Sequence, residues 1–501
     1  MLTQETDVGG APRTGLRREL GLLGLTATGI CAMLGAGITV VPFMIQRNVP
    51  GIGPHVLPAY AFAAIPALLA ALAYAILASA MPRAGGSYVY ASRALHPYLG
   101  FAASFSQWFG LSIAIGVVSY VLIAFLRDIA AAAGLSDLAS AFASGPIRVS
   151  LALAFLWIFV LVNLRGLRLY ERTLVPLMVV MFVLGAVVIV AGFWFDQGDF
   201  LAAVFEREGR TLVEPANPPL RPAPFLAAAA VLFSSFIGFD AIAQAGGEAR
   251  NPSRSLPLAI GIAVAVVGSF YFLFSAAVYH AVPWWYVAEQ ALTRDVTAPG
   301  LLGTLLSPGW TVAIVSGAAV ALINDLPAML LAVSRLMFAW AEDGIFPRAV
   351  AKVHHRWRTP YVAIILSGIM ASLGIVGSHL AGDFFLGVDI LVLSMLVNFL
   401  LMCLSVLWLR RRPELARHVT VIRARRAQMP LAALGAVAMA VFLVVHVWKD
   451  LSAHVSAWYF HSTYAWLAVM LLATAIYLRE MRGLRRSGVD VQALFSSLPP
   501  E

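Results

Sequence analysis

The chain has 501 residues, of which 61% are hydrophobic and 12% charged, with a formal net charge of +9 and a mean hydropathy of +0.85. Soluble domains carry about 25% charged residues, so the composition excludes a soluble protein and leaves an integral membrane protein. The positive balance follows a membrane topology, described below, and no nucleic-acid partner is expected.

A membrane helix needs about 20 predominantly apolar residues. Twelve runs meet that need, at 20–45, 55–80, 98–126, 149–164, 173–195, 225–246, 257–282, 309–340, 360–380, 384–409, 430–448 and 457–478. Ahead of them, residues 1–19 are polar, carry Arg13, Arg17 and Arg18, and contain no cleavable signal pattern. The first run holds Gly35-Ala36-Gly37 at mid-depth, and the sixth holds Ser234-Ser235-Phe236-Ile237-Gly238. Glycine weakens a helix, and open backbone at membrane depth is tolerated only where it lines a cavity or is buried in protein. Both runs therefore predict broken helices.

The two breaks, in spans 1 and 6, lie five spans apart. Five is odd, so the second broken helix enters the membrane in the opposite sense to the first, which is the mark of an inverted repeat with substrate near the midplane. The expected organisation is a first repeat at 20–195 (spans 1–5), an external loop at 196–224 and a second repeat at 225–409 (spans 6–10). A basic loop at 410–429, spans 11 and 12 at 430–478 and a tail at 479–501 follow. With a cytoplasmic N-terminus, inside segments hold 25 of the 34 Arg and Lys residues, as the positive-inside rule requires. Both termini are then cytoplasmic, in a multi-pass protein of the cell membrane.

Soluble-enzyme chemistry is thin. The two cysteines, Cys31 and Cys403, lie within spans, so no disulfide framework is expected. The ten histidines show no metal-ligand spacing, and no phosphate-binding Walker loop is present. Neither an enzyme, an ATP-driven pump nor an organic cofactor is expected.

Four stretches carry a resemblance: MLGAGITVVPF (33–43), MPRAGGSYVYASRALHPYLGF (81–101), FSSFIGFDAIAQAGGEARNPSRSLPLAI (233–260) and SRLMFAWAEDGIFPRAVAKVHHRWRTPYVAI (334–364). In this order, and on these spans, the chain resembles an amino acid permease of the amino acid–polyamine–organocation (APC) superfamily. That resemblance implies an all-α, LeuT-like 5+5 inverted repeat with helices 1 and 6 broken, plus helices 11 and 12.

The residues and the resemblance converge on one site. The outer half of span 1, starting near Ile38, points free N–H groups at its break, whereas the outer half of span 6, ending near Phe233, offers free carbonyls. Helix N-termini attract carboxylates and C-terminal carbonyls attract cations, so the pocket suits a zwitterionic amino acid. The resemblance assigns the carboxylate to the amides of Gly35, Ala36 and Gly37, and the ammonium to the carbonyls of Met33, Ser234 and Ile237. It also implies that Gly110, Leu111 and Met329 border the side-chain pocket, which mildly favours neutral amino acids. Where relatives carry a large aromatic outer gate this chain has Ser234, with Phe233 and Phe236 as substitutes.

Asp240, Asp325 and Asp389 lie within spans, where acids usually face a cavity or mark an ion path. Asp325 belongs to Asn324-Asp325-Leu326-Pro327, and Pro327 frees the carbonyl of Ile323. The resulting oxygen-rich site suits Na⁺ or a proton. By resemblance, a Na⁺ site would combine the carbonyls of Cys31 and Leu34 with Asp325; where some relatives place a lysine, this chain has Met181. The competing reading of Asp325 is a polar residue joining helices. Asp240 reads either as a proton sensor or as the cap of the inner half of span 6, Asp389 has no assigned role, and Glu248 and Arg335 match positions near the cytoplasmic face. The expected activity is amino acid import by alternating access with H⁺ or Na⁺ coupling, the partners being the amino acid and the lipid bilayer. The alternatives are an exchanger, a polyamine or cationic amino acid carrier, and a non-transporting sensor. Oligomeric state is left open.

Overall fold

The computed structural model describes residues 16–381, 385–455 and 460–499. Most of the N-terminal segment, the head of span 10 at residue 384, residues 457–459 of span 12 and the last two residues lie outside the described residues.

Span 1 is split into α1 (Leu22–Met33), α2 (Ala36–Thr39) and α3 (Val41–Asn48). Span 2 is α4 (Val56–Ala80), and the connection after it carries the short α5 (Gly86–Ala94). Next come α6 (Pro97–Ala132), the small α7 (Ser136–Ala143), α8 (Gly145–Leu164), α9 (Leu167–Trp194) and the loop helix α10 (Gln197–Glu208). Span 6 consists of α11 (Pro222–Leu232), a 3-10 turn (Phe233–Phe236) and α12 (Asp240–Gln244). Span 7 is α13 (Pro252–Ala281), and α14 (Trp284–Thr293) and α15 (Ala298–Leu302) bridge to α16 (Pro308–Glu342). The remainder is α17 (Tyr361–Ala381), α18 (Phe385–Trp408), α19 (Pro413–Ala416), α20 (Arg425–Ser452), α21 (Ser462–Arg486) and α22 (Val491–Ser496).

Local chemistry sets many of these starts. Proline sits in the first turn of α6, α8, α11, α13 and α16, where its missing N–H costs nothing. Asp196 and Asp199 form a reciprocal capping box on α10.

Among the described residues, ten helices are long and apolar enough to cross a membrane, and Leu22–Met33 and Pro222–Phe236 are shorter apolar helices. Those two short pieces belong to the broken spans, which brings the ten to the expected twelve. The protein is an all-α, multi-pass membrane protein; among the described residues the β pairing is confined to the isolated bridges Leu20–Ala249 and Ala84–Ala245. Large apolar side chains such as Val183, Val190 and Leu471 are exposed on the outer helices, as a lipid-facing surface requires.

The centre is formed by α6 and α16, whose Phe101, Phe105 and Trp108 rings pack on Trp340 with centroids 5.3, 5.3 and 6.0 Å away. Several boundaries move from the sequence expectation. α9 starts at Leu167, six residues before the expected 173, and α20 runs to Ser452. Lys449 therefore lies inside a membrane helix rather than outside it, where it pairs with Asp389 at 3.4 Å and donates to Asn48 Oδ1 at 2.6 Å.

Both described ends of the chain reach one face. There the amide of Leu20 donates to the Glu248 carbonyl at 2.9 Å and Arg250 N–H donates to Leu20 O at 3.0 Å. Glu248 and Arg335, which the sequence left without partners, form a bidentate pair at 3.0 and 2.7 Å, both side chains fully buried. We call this the terminal face.

Candidate functional site

The interruption of span 1 falls at Leu34-Gly35, one residue earlier than the glycine pair suggests. The amide of Gly35 turns back onto Met33 O at 3.0 Å, so it is not free, and Ala36 and Gly37 open α2. A second irregularity follows at Val40, and Pro42 lies in the first turn of α3. Gly35 is required by proximity: a Cβ there would lie 2.3 Å from Asp325 Oδ2.

The interruption of span 6 is longer. After the 3-10 turn, Ile237 is extended (φ −74°, ψ 134°) and Gly238 takes φ 135°, a conformation that favours glycine. A Cβ on Gly238 would meet Ala32 O at 2.3 Å, so the two broken helices touch backbone to backbone. Ser235 Oγ adds a bond to Gly37 O at 2.8 Å.

A cavity joins the breaks, lined by Ala32, Met33, Gly37 and Val41 of span 1, Ser234 and Ile237 of span 6, and Asp325 and Met329 of α16. Ala114, Val117 and Val118 of α6 and Val388 and Leu391 of α18 complete the wall. Gly110 and Leu111 are not among the lining residues. Gly110 packs against Ser394, where a Cβ would come within 2.6 Å of the serine Cβ, and the wall is built about one helical turn further along α6. Phe233 meets Phe399 and Phe442 edge-on, and Phe236 packs edge-on against Tyr271 and tilted against Tyr60; neither lines the cavity.

Two polar atoms in this wall have no hydrogen-bond partner: Ser234 Oγ and Asp325 Oδ1. An unpartnered buried polar group costs about 1–3 kcal/mol, more if charged, so both are groups that a polar ligand or a cation would satisfy. Asp325 is held beside the span 1 break by α16, where Asn163 Nδ2 donates to the Pro327 carbonyl at 3.3 Å. The neighbouring Asn324 amide reaches Cys31 Sγ at 3.0 Å and Leu174 O at 3.2 Å. Leu34 and Met181 face a different, apolar cavity.

Asp240 lies outside the cavity wall. Its carboxylate accepts from Gly238 N–H at 3.0 Å and from Gln107 Nε2 at 2.5 Å, an arrangement that closes the unwound segment as a cap does. Sequence reasoning missed Gln107, and it missed Tyr271, whose hydroxyl donates to the Met33 carbonyl. Both are polar groups in apolar helices, a signal that exists in the sequence but does not name a partner.

The chain matches the amino acid permease family over residues 20–473. It is 30% identical over 422 residues to the branched-chain amino acid permease BcaP of Bacillus subtilis, covering 80% of this chain and 83% of that protein. It is 29% identical over 391 residues to human cationic amino acid transporter 4, covering 72% of this chain and 55%, about half, of that longer protein. The low-affinity putrescine importer PlaP of Escherichia coli is 28% identical over 363 residues, covering 72% and 75% respectively.

Proposed function

The chain belongs to the amino acid permease family, a transporter and not an enzyme, and on that premise we propose that it imports a neutral aliphatic amino acid by alternating access. The observation that carries the proposal is the cavity at the junction of the two breaks, whose wall is apolar except for backbone groups, Ser234 and Asp325. The substrate carboxylate would meet the amides of Ala36 and Gly37. Its ammonium would meet the carbonyls of Met33, Ser234 and Ile237, competing with Tyr271 for the first of these. Each charge-assisted hydrogen bond contributes about 1.5–3 kcal/mol net, enough for a handful of them to offset immobilisation and give affinities of roughly mM to μM. Ala114, Val117, Val118, Val388 and Leu391 would surround the side chain, and an apolar wall of this kind gives a charged one no partner. The first of the relatives named above is a branched-chain amino acid permease, which agrees with that wall.

Asp325 is the proposed coupling residue. Its unpartnered oxygen, beside the end of α1, fits a small cation, with the carbonyls of Cys31 and Leu34 as the accompanying oxygens, or a proton taken up by the carboxylate itself. The second reading is favoured by the same residue: Asp325 is the carboxylate in the cavity wall, and it would also hold the distal ammonium of a diamine or a cationic amino acid. We further propose that the terminal face is cytoplasmic, in the cell membrane.

Uptake into proteoliposomes with imposed Na⁺ and H⁺ gradients tests all of this. Leucine, isoleucine and valine are expected to accumulate, and Asp325→Asn to abolish gradient-driven accumulation while sparing exchange. Unchanged concentrative uptake by Asp325→Asn removes the coupling role; transport of putrescine or arginine in place of leucine selects the second reading.

A further inference from the structure

On the terminal face, the segment 83–93 between α4 and α6 is gripped from two sides. From within, Gly85 N–H donates to the Gln244 carbonyl at 3.1 Å, Ala84 bridges Ala245 and Ser87 N–H donates to Gln244 Oε1 at 3.3 Å. These bonds fix the segment to α12, the half of span 6 that leads to the cavity. From outside, the segment is held by the C-terminal tail.

The tail contacts centre on Arg93, which is 1% exposed. Its guanidinium pairs with Asp343 at 2.5 and 3.0 Å, and Tyr88 donates to the same carboxylate at 2.6 Å. Burial is the largest single influence and opposes the arginine's charge, but the hydrogen bond to Asp343, its negative charge and the neighbouring Tyr88 together outweigh it and hold the group more firmly protonated than usual. What Asp343 leaves unfilled, the tail completes. Arg93 Nε donates to Ser497 O at 3.2 Å, and the buried Phe495 ring lies 4.9 Å from its guanidinium carbon, a cation–π contact. Ten residues earlier, Arg83 Nε donates to Pro499 O at 3.0 Å. The tail therefore spans the loop and ties down both of its ends.

We propose that residues 490–499 are a brace that holds the terminal face of the transporter closed. Opening that face requires α12 and the start of α1 to part from segment 83–93 and from α16. A tail that fixes the segment stabilises the closed arrangement by the free energy of its contacts, and releasing it shifts the population toward the open one. The brace is a property of the gate and does not depend on which solute the cavity accepts.

The test uses a reporter cysteine, Ala245→Cys, buried at the bridge to the loop. A thiol reagent that does not cross the membrane is applied to the terminal face in inside-out vesicles, and the labelling rate is read. Phe495→Ala is expected to accelerate labelling about fivefold, the population shift produced by losing a cation–π contact worth roughly 1 kcal/mol, and deletion of residues 487–501, which also removes the Ser497 and Pro499 carbonyls, to accelerate it at least as much; Phe495→Tyr is expected to label like the parent. Phe495→Ala retains the full-length chain and decides the matter if the deletion variant does not accumulate. Labelling of Phe495→Ala at the parent rate, or more slowly, overturns the proposal. Because labelling is read without any transported solute, this failure is distinct from a failure of the transport reading.

Discussion

At the scale of single residues, the site is set by what two glycines permit. Gly35 leaves room for the Asp325 carboxylate, and Gly238 lets the span 6 backbone come against Ala32 O. Neither position tolerates a methyl group without displacement of a charged or backbone neighbour. Overpacking of this kind costs about 1–3 kcal/mol, and here it falls on the site itself. Gly35→Ala is expected to reach the membrane and keep its fold, yet lose at least about tenfold in uptake at low substrate concentration. Normal uptake by Gly35→Ala would mean that Asp325 and the span 1 break need not approach each other. The polar side chains around them follow the same logic of satisfied bonds. Gln107 and Gly238 together occupy the Asp240 carboxylate, which leaves Asp325 as the acid whose oxygen is unpartnered at the cavity.

At the scale of elements, the terminal closure depends on a buried ion pair between the loop after α12 and α16. Glu248 and Arg335 are both fully buried, and removing one partner of such a pair strands the other charge at a cost of about 3–5 kcal/mol. Glu248→Gln is therefore expected to lower thermal stability in detergent sharply, whereas the double variant Glu248→Met with Arg335→Met recovers most of it. A single variant as stable as the parent would show that the pair carries no structural load. Much of this architecture was legible in the sequence. The segment Gly35-Ala36-Gly37 and the stretch Ser234-Ser235-Phe236-Ile237-Gly238, each inside an apolar run, marked both broken helices, and hydropathy marked the other ten spans, because these signals are local. The register of α6 was not legible: a 36-residue helix with apolar residues on every face gives no sign of which turn meets the cavity. Hence Gly110 and Leu111 were expected where Ala114, Val117 and Val118 stand. Partners far apart in sequence, such as Tyr271 with Met33 or Lys449 with Asp389, were equally hidden, since nothing local selects one partner over another.

At the scale of the whole molecule, two short half-helices are held at the centre of longer ones. Their peptide groups form one wall of a cavity, α6 and α18 form another, and α16 brings in a carboxylate. The terminal face is closed beneath them by backbone bridges, an ion pair and the tail. The central claim is that this junction binds a zwitterion through both of its charges. Competition against leucine uptake tests it most directly, using 3-methylbutylamine, which lacks the carboxylate, and 4-methylpentanoate, which lacks the ammonium. Each analogue forfeits about two charge-assisted hydrogen bonds, so each is expected to inhibit at least about a hundredfold more weakly than leucine itself. Inhibition by either analogue within about tenfold of leucine would contradict the account.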